Sequence, residues 1–78
     1  MTTANPGPYS VTFLTDQWEW DAAVATDQLE EAKAAACRAL EQVVRDERPE
    51  IACVTLLEGG RRIGVWDWVD GEAHWTPL

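Results

Sequence analysis

The residues whose types could carry out catalysis are few, and they lie apart from one another in the chain. His74 is the only histidine, and no cysteine, serine or second histidine lies near it at the spacing of a metal site or a catalytic triad. Pairs of carboxylates, Glu19 with Asp21 or Asp67 with Asp70, could divide acid and base roles only inside an apolar cleft. A domain of 78 residues rarely contains such a cleft, so we interpret these carboxylates as solvated charge.

Two further motifs resemble functional sites without completing them. Gly59 and Gly60, followed by two arginines, have the glycines of a phosphate-binding loop but lack its lysine, its hydroxyl and the helix that follows it. Cys37 and Cys53 stand outside any CxxC motif, and we interpret them as small buried apolar residues in a reducing compartment. The sequence therefore predicts no metal, no cofactor and no enzymatic activity, with a small hydrolase-like enzyme as the weakest alternative.

The length of the chain, 78 residues, favours one small domain with a thin core. We expect residues 1–8, in which two prolines flank Gly7, to form a flexible leader, and residues 9–78 to form a single domain. No apolar run approaches the roughly 18 residues of a membrane span, and the N-terminus has no apolar signal segment. A cytoplasmic location is the prediction that follows.

The charge balance of the chain restricts its partners. Fourteen acidic and six basic residues give a net charge of −8, and the acidic residues are spread along the whole chain. Binding to nucleic acid depends on cations that displace the counterions of the phosphates, so we expect no direct contact with nucleic acid. We expect no binding to anionic membrane surfaces for the same reason. Proteins are therefore the predicted partners.

The first half of the chain predicts a hairpin followed by a helix. Residues 9–15 and 18–24 alternate at period 2, and both strands present apolar side chains to one side if Phe13 faces Trp20 across the loop. Asp27, followed three residues later by Glu30, resembles a capping box, and the proline at position 49 ends the helical pattern, so we expect a helix over residues 27–47. Its predicted apolar stripe consists of Leu29, Ala32, Ala36, Leu40, Val43 and Val44.

The second half predicts three strands joined by tight turns. Residues 51–57 and 62–69 are rich in β-formers, and the two glycines between them suit a type I′ turn. Asp70 and Gly71 predict another hairpin turn, followed by a short fifth strand over residues 72–76. The order is β-β-α-β-β-(β). The predicted fold is therefore α+β, a small antiparallel sheet of four to five strands with one helix packed on one face.

The register of the second hairpin decides which side chains lie under the helix. A two-residue turn pairs Val54 with Val65 and Leu56 with Ile63, and we expect the helix to cover this aliphatic face. The opposite face then carries three indoles together with two neighbours from the preceding strand. The predicted interaction residues are Trp66, Trp68, Trp75, Ile51 and Cys53.

An uncovered indole face favours a small, acidic, non-enzymatic protein-interaction module, because interfaces concentrate aromatic anchors at their centres. Its partner would be another protein or a second copy in a homodimer. The indoles could instead lie under the terminal segments, or stack on a carbohydrate or aromatic ligand. In a further alternative, the protein is a DNA mimic or regulatory inhibitor of phage type, in which helix carboxylates imitate phosphates. The carboxylates in question are Glu30, Glu31, Glu41, Asp46 and Glu47.

Overall fold

The computed structural model of the protein describes residues 7–78. Its elements are β1 (Tyr9–Thr15), β2 (Glu19–Ala23), α1 (Leu29–Glu47), β3 (Ala52–Glu58), β4 (Arg61–Val69) and β5 (Glu72–Pro77). The strands form one sheet in the order β2-β1-β3-β4-β5, and every neighbouring pair is antiparallel. The predicted α+β fold, with one helix packed on a small antiparallel sheet, is confirmed. Residues 1–6 of the predicted leader lie outside the described residues.

The first hairpin has the register that the alternation predicts. Phe13 lies opposite Trp20, and Val11 lies opposite Ala22. Thr15 organises the loop, because its hydroxyl oxygen accepts hydrogen bonds from the backbone amides of Gln17 and Trp18, each at 3.1 Å. The Thr15 side chain therefore stabilises this loop, which contains no glycine.

The helix begins two residues later than the capping-box pattern predicts. Gln28 is the N-cap residue, and its side chain makes no capping hydrogen bond, so the predicted cap at Asp27 is wrong. Thr26 instead links the segment before the helix to its first turn. Its hydroxyl accepts a hydrogen bond from the Gln28 amide at 3.1 Å and donates one to the Glu31 carboxylate at 2.5 Å. The threonine is the better local donor and acceptor, so the chain turns before it becomes helical.

The predicted end of the helix at Glu47 is confirmed. Arg48 follows in the left-handed conformation with φ 48°, and its amide donates to the Val44 carbonyl at 3.0 Å. This bond satisfies one of the carbonyls that a helix leaves free at its last turn. The proline at position 49 prevents the helix from continuing.

The core lies between α1 and the three central strands. The helix packs mainly over β3 and also reaches β1, β4 and β5. Small helical side chains allow a close approach to the sheet, whereas the predicted stripe residue Leu29 is exposed. The buried apolar residues are Ala32, Ala36 and Leu40 of the helix, and Tyr9, Val11, Phe13, Ala52, Val54 and Leu56 of the sheet.

The second hairpin departs from the predicted register at one residue. Its turn forms as expected, with positive φ at Gly59 (58°) and Gly60 (84°). Leu57 pairs with Arg62, but Leu56 then pairs with Gly64, so one extra residue in β4 forms a β-bulge. Because side chains alternate at period 2, this single residue moves every later side chain of β4 and β5 to the other face.

The predicted position of the three indoles is therefore wrong. Trp66 lies opposite Val54, on the face that packs against the helix, while Val65 lies opposite Thr55 on the open face. Trp68 and Trp75 share the face of Trp66. The bulge is favourable because it moves three large apolar side chains from the open face to the helix side, where all three are partly buried against the core.

Two contacts attach these indoles to the helix. The Trp66 indole N–H donates to the Lys33 carbonyl at 3.0 Å, and the Lys33 ammonium lies 4.8 Å from the centre of the Trp75 ring. The Trp66 and Trp75 ring centres are 5.3 Å apart. The indoles thus fill the space between the helix and the β4–β5 side of the sheet.

Gly64 is required by this arrangement, and its replacement gives a test of the register. A Cβ atom added at Gly64 would lie 2.1 Å from the Trp75 ring. We expect Gly64→Ala to lower the free energy of unfolding by about 1–3 kcal/mol, because an added methyl group in a packed site forces the ring to move. Urea unfolding of the purified variant measures this loss.

A double-mutant cycle separates the clash from a general effect of alanine on the strand. In a Trp75→Ala background the ring is absent, so the same Gly64→Ala change should cost clearly less. An equal cost in both backgrounds would show that Trp75 does not lie over Gly64.

Candidate functional site

The helix leaves one edge of the sheet uncovered. Within the described residues, no Cα atom of β2 lies within 8 Å of a Cα atom of α1. Because neighbouring strands lie about 4.8 Å apart, β2 is about 10 Å from the strand over which the helix is centred. The β5 edge lies at the same distance on the other side, but Trp66 and Trp75 cover that side. The two flanks of the helix are therefore unlike.

An apolar groove runs along the uncovered flank. Its volume is about 460 Å³, and Gln42 is the only polar residue among the described residues that line it. We call this groove the β2–α1 cleft. Its walls are formed by Trp20, Ala22 and Val24 on the sheet side, and by Ala35, Ala39 and Val43 on the helix.

Aromatic rings form one end of the cleft. The Trp20 side chain is 57% exposed, although its ring stacks on buried Phe13 with the centres 5.7 Å apart and the planes at 24°. Trp18 meets Trp20 edge to face at 6.3 Å, and its indole N–H donates to the Glu47 carboxylate at 2.7 Å. Trp20 thus presents an exposed ring that packs against Phe13 and Trp18.

The two ends of the cleft differ in charge. Glu47 lies at the end formed by Trp18 and Trp20, where its carboxylate accepts the hydrogen bond from Trp18. At the opposite end, beside Val24, the lining includes both Glu31 and Arg38. The aromatic end is therefore purely acidic, whereas the far end carries both signs.

The structure divides the predicted interaction residues among separate places. Trp66 and Trp75 come together on the helix side, with Trp68 on the same face. Cys53 lies opposite Asp67 on the open face, and Ile51 precedes β3 with 62% of its side chain exposed. These residues do not form one surface.

The sequence patterns did not predict the cleft, because the position of the cleft depends on the order of the strands in the sheet. The exposed ring belongs to Trp20, whose alternation with Trp18 and Ala22 gives the correct face of β2. Among the described strands β2 lies at an edge, next to β1, because β1 pairs with β3 on its other side. Local patterns do not specify that long-range pairing.

The helix carboxylates of the DNA-mimic alternative do not form a row. At about 100° per residue, the five side chains point in directions spread over most of the helix circumference. Four of them also have partners within the chain. Glu30 pairs with Lys33 at 3.9 Å, Glu31 accepts from Thr26, Asp46 accepts from Gln42 at 2.7 Å, and Glu47 accepts from Trp18.

The remaining chemistry-bearing groups lie apart from the cleft. His74 lies on the surface opposite Asp67 of β4, with its ring 3.8 Å from the Glu72 carboxylate. In the described part of the chain, no group of three or more His, Cys, Asp or Glu side chains is arranged to hold a metal ion. Among the same residues, no helix combines the length and apolar character needed to cross a bilayer.

Both cysteines are free thiols in which the environment opposes ionisation. Burial raises the pKa of the Cys37 thiol, and the nearby Glu41 carboxylate adds to this rise while Arg38 opposes it. Burial also raises the pKa of the Cys53 thiol, with a further contribution from Asp67. A raised pKa leaves less thiolate, the reactive form, at neutral pH.

Comparison of the chain with family models, with curated proteins and with solved structures finds no match. Any function must therefore be inferred from the cleft itself.

The thiols give a pH-dependent expectation. Since the pKa of each thiol is raised, Cys37 and Cys53 in the folded protein should react with a chromogenic disulfide reagent more slowly at about pH 8 than an unstructured cysteine peptide does. Unfolding in urea should restore the peptide rate. The variants Cys37→Ser and Cys53→Ser show which thiol gives rise to each phase of the reaction. Native rates equal to the peptide rate would contradict the raised pKa values.

Proposed function

We propose that this protein is a non-enzymatic interaction module that docks an α-helical segment of a partner protein in the β2–α1 cleft. The observation that carries the proposal is an apolar strip beside α1 that the helix leaves uncovered. The exposed ring of Trp20, stacked on Phe13, lies at one end of that strip.

The dimensions of the cleft match a helix. Packed helices have interaxial distances of about 8–10 Å. Because α1 is centred over β3, a second helix at that distance would have its axis over β2, about 10 Å away. It would therefore rest on the strand that α1 leaves bare, beside α1 and on the same face of the sheet.

The side chains of the cleft suit such an occupant. Ala35 and Ala39 are small, so a docked helix could approach α1 closely. Trp20 offers a large apolar area. Because its ring already stacks on Phe13, it would lose less side-chain conformational entropy on binding. Binding energy at interfaces concentrates on buried aromatic anchors of this type.

A second copy of the chain fits the cleft less well. The simplest route for a copy is to pair the two β2 edges about a twofold axis. The two helices would then lie five strand spacings apart, about 24 Å, and each cleft would stay open. Two chains that each carry a net charge of −8 also repel one another. A partner helix is thus favoured over the homodimer.

We expect the module to work in the cytoplasm. The location is a prediction from composition, and the unpaired state of Cys37 and Cys53 agrees with a reducing compartment.

Peptide binding tests the proposal. The probe is a Trp-free helical peptide of about 18 residues with leucines at i, i+3, i+4 and i+7, and with equal numbers of lysine and glutamate elsewhere. We expect saturable binding, seen by calorimetry and by the fluorescence of the protein. Trp20→Ser should weaken it about tenfold or more, because truncating a central aromatic anchor costs at least about 1.4 kcal/mol.

Two further variants keep the test clear. Ala39→Glu places a charge in the cleft on a helix position that tolerates glutamate, and it should also abolish binding. Leu78→Ser removes a more exposed apolar side chain just beyond β5, at the opposite edge of the sheet, and should leave binding unchanged. A peptide of the same composition without the leucine stripe should not bind.

Two results would contradict the proposal. In one, the striped and unstriped peptides bind alike. In the other, sedimentation shows a dimer of the chain that is lost in Trp20→Ser while no peptide binds, which would make a second copy the occupant.

A further inference from the structure

We infer that the helix docked in the β2–α1 cleft is cationic, with lysine or arginine side chains flanking its apolar stripe where it meets Trp18 and Trp20. This inference rests on the proposed function and specifies the chemistry of its partner. The charges around the cleft carry it.

The aromatic end of the cleft holds a carboxylate beside the exposed ring. Glu47, the last residue of α1, lines the same depression as Trp18, Trp20 and Val43. Glu19 lies opposite Leu14, so its side chain belongs to the other face of the sheet. A docked helix would therefore meet the acidic group on the α1 side of its apolar stripe.

This carboxylate is held by a hydrogen bond. The Trp18 indole donates to Glu47 at 2.7 Å, so the Glu47 side chain already points toward the aromatic end. Gln42, which lines the cleft one turn earlier, donates to Asp46 at 2.7 Å and keeps a second carboxylate nearby. Fixed acceptors lose less freedom on binding than mobile ones do.

The carboxylates at this end have no cationic neighbour in the lining: among the described residues that line the aromatic end and the central groove, none is lysine or arginine. Arg38 lines only the far end, where Glu31 accompanies it. A partner helix with cationic side chains at the Trp18 end would therefore complement the charge of the cleft. Because the two ends of the cleft differ in charge, this complementarity also favours one direction of the docked helix.

The net negative charge of the molecule also favours a cationic partner, and it acts at longer range than the carboxylates at the cleft. A charge of −8 on a small domain attracts cationic segments and accelerates their encounter, whereas it slows the approach of anionic ones. The specific contribution of Glu47 can be separated from this general field, because other carboxylates lie far from the cleft.

The experiment compares two Trp-free peptides of about 18 residues with the same leucine stripe. One carries lysine and glutamine at the remaining positions, and the other carries glutamate and glutamine. Dissociation constants are measured by calorimetry at low and at physiological salt. We expect the lysine peptide to bind about tenfold more tightly or better at low salt, and we expect the difference to shrink as salt screens the charges.

Matched variants locate the effect. Glu47→Gln removes the charge but keeps an acceptor for the Trp18 indole, and it should weaken binding of the lysine peptide about two- to fivefold while sparing the glutamate peptide. Glu72→Gln removes the same charge at the other edge of the sheet and should change neither dissociation constant.

Each outcome is decisive. If both peptides bind with equal affinity, the inferred charge preference is wrong and the helix-docking function stands. If Glu72→Gln weakens the lysine peptide as much as Glu47→Gln does, only the net charge attracts it and the inferred contact is wrong. If neither peptide binds, the proposed function fails together with the inference.

Discussion

One helix is too narrow to cover a five-stranded sheet. Five strands span four spacings, about 19 Å, whereas an α-helix with its side chains is about 10–12 Å across. Since α1 is centred on β3, an apolar flank remains on each side of it. One flank is covered by side chains of the chain itself and the other is not. This difference determines both the packing of the molecule and the place of its candidate site.

On the β4–β5 flank, indoles take the place of a second helix. The bulge in β4 directs Trp66, Trp68 and Trp75 to the helix side, and Gly64 leaves room for the Trp75 ring. The hydrogen bond from Trp66 to the Lys33 carbonyl satisfies the polar atom of the indole where it is partly buried. This flank is closed by the chain itself, whereas the described residues leave the β2 flank uncovered.

Local patterns were enough to predict the elements but not the faces of β4 and β5. Glycine and aspartate turns, the alternation around Phe13 and the proline after the helix gave the elements and the register of the first hairpin. The face of Trp66 depended on one extra residue in β4, for which Ile63 and its neighbours carry no distinctive pattern. A bulge is decided by which face offers more burial, and that is a property of the assembled layers.

The same molecule must keep an apolar cleft and an open strand edge exposed without aggregating. β2 is only five residues long, and two of its residues, Glu19 and Asp21, are acidic and exposed. Short, charged edge strands resist pairing with further strands. The net charge of −8 adds repulsion between copies. Under the proposed docking of a cationic helix, the acidic surface that keeps identical chains apart would also favour a partner of opposite sign, so the same charges would provide both solubility and specificity.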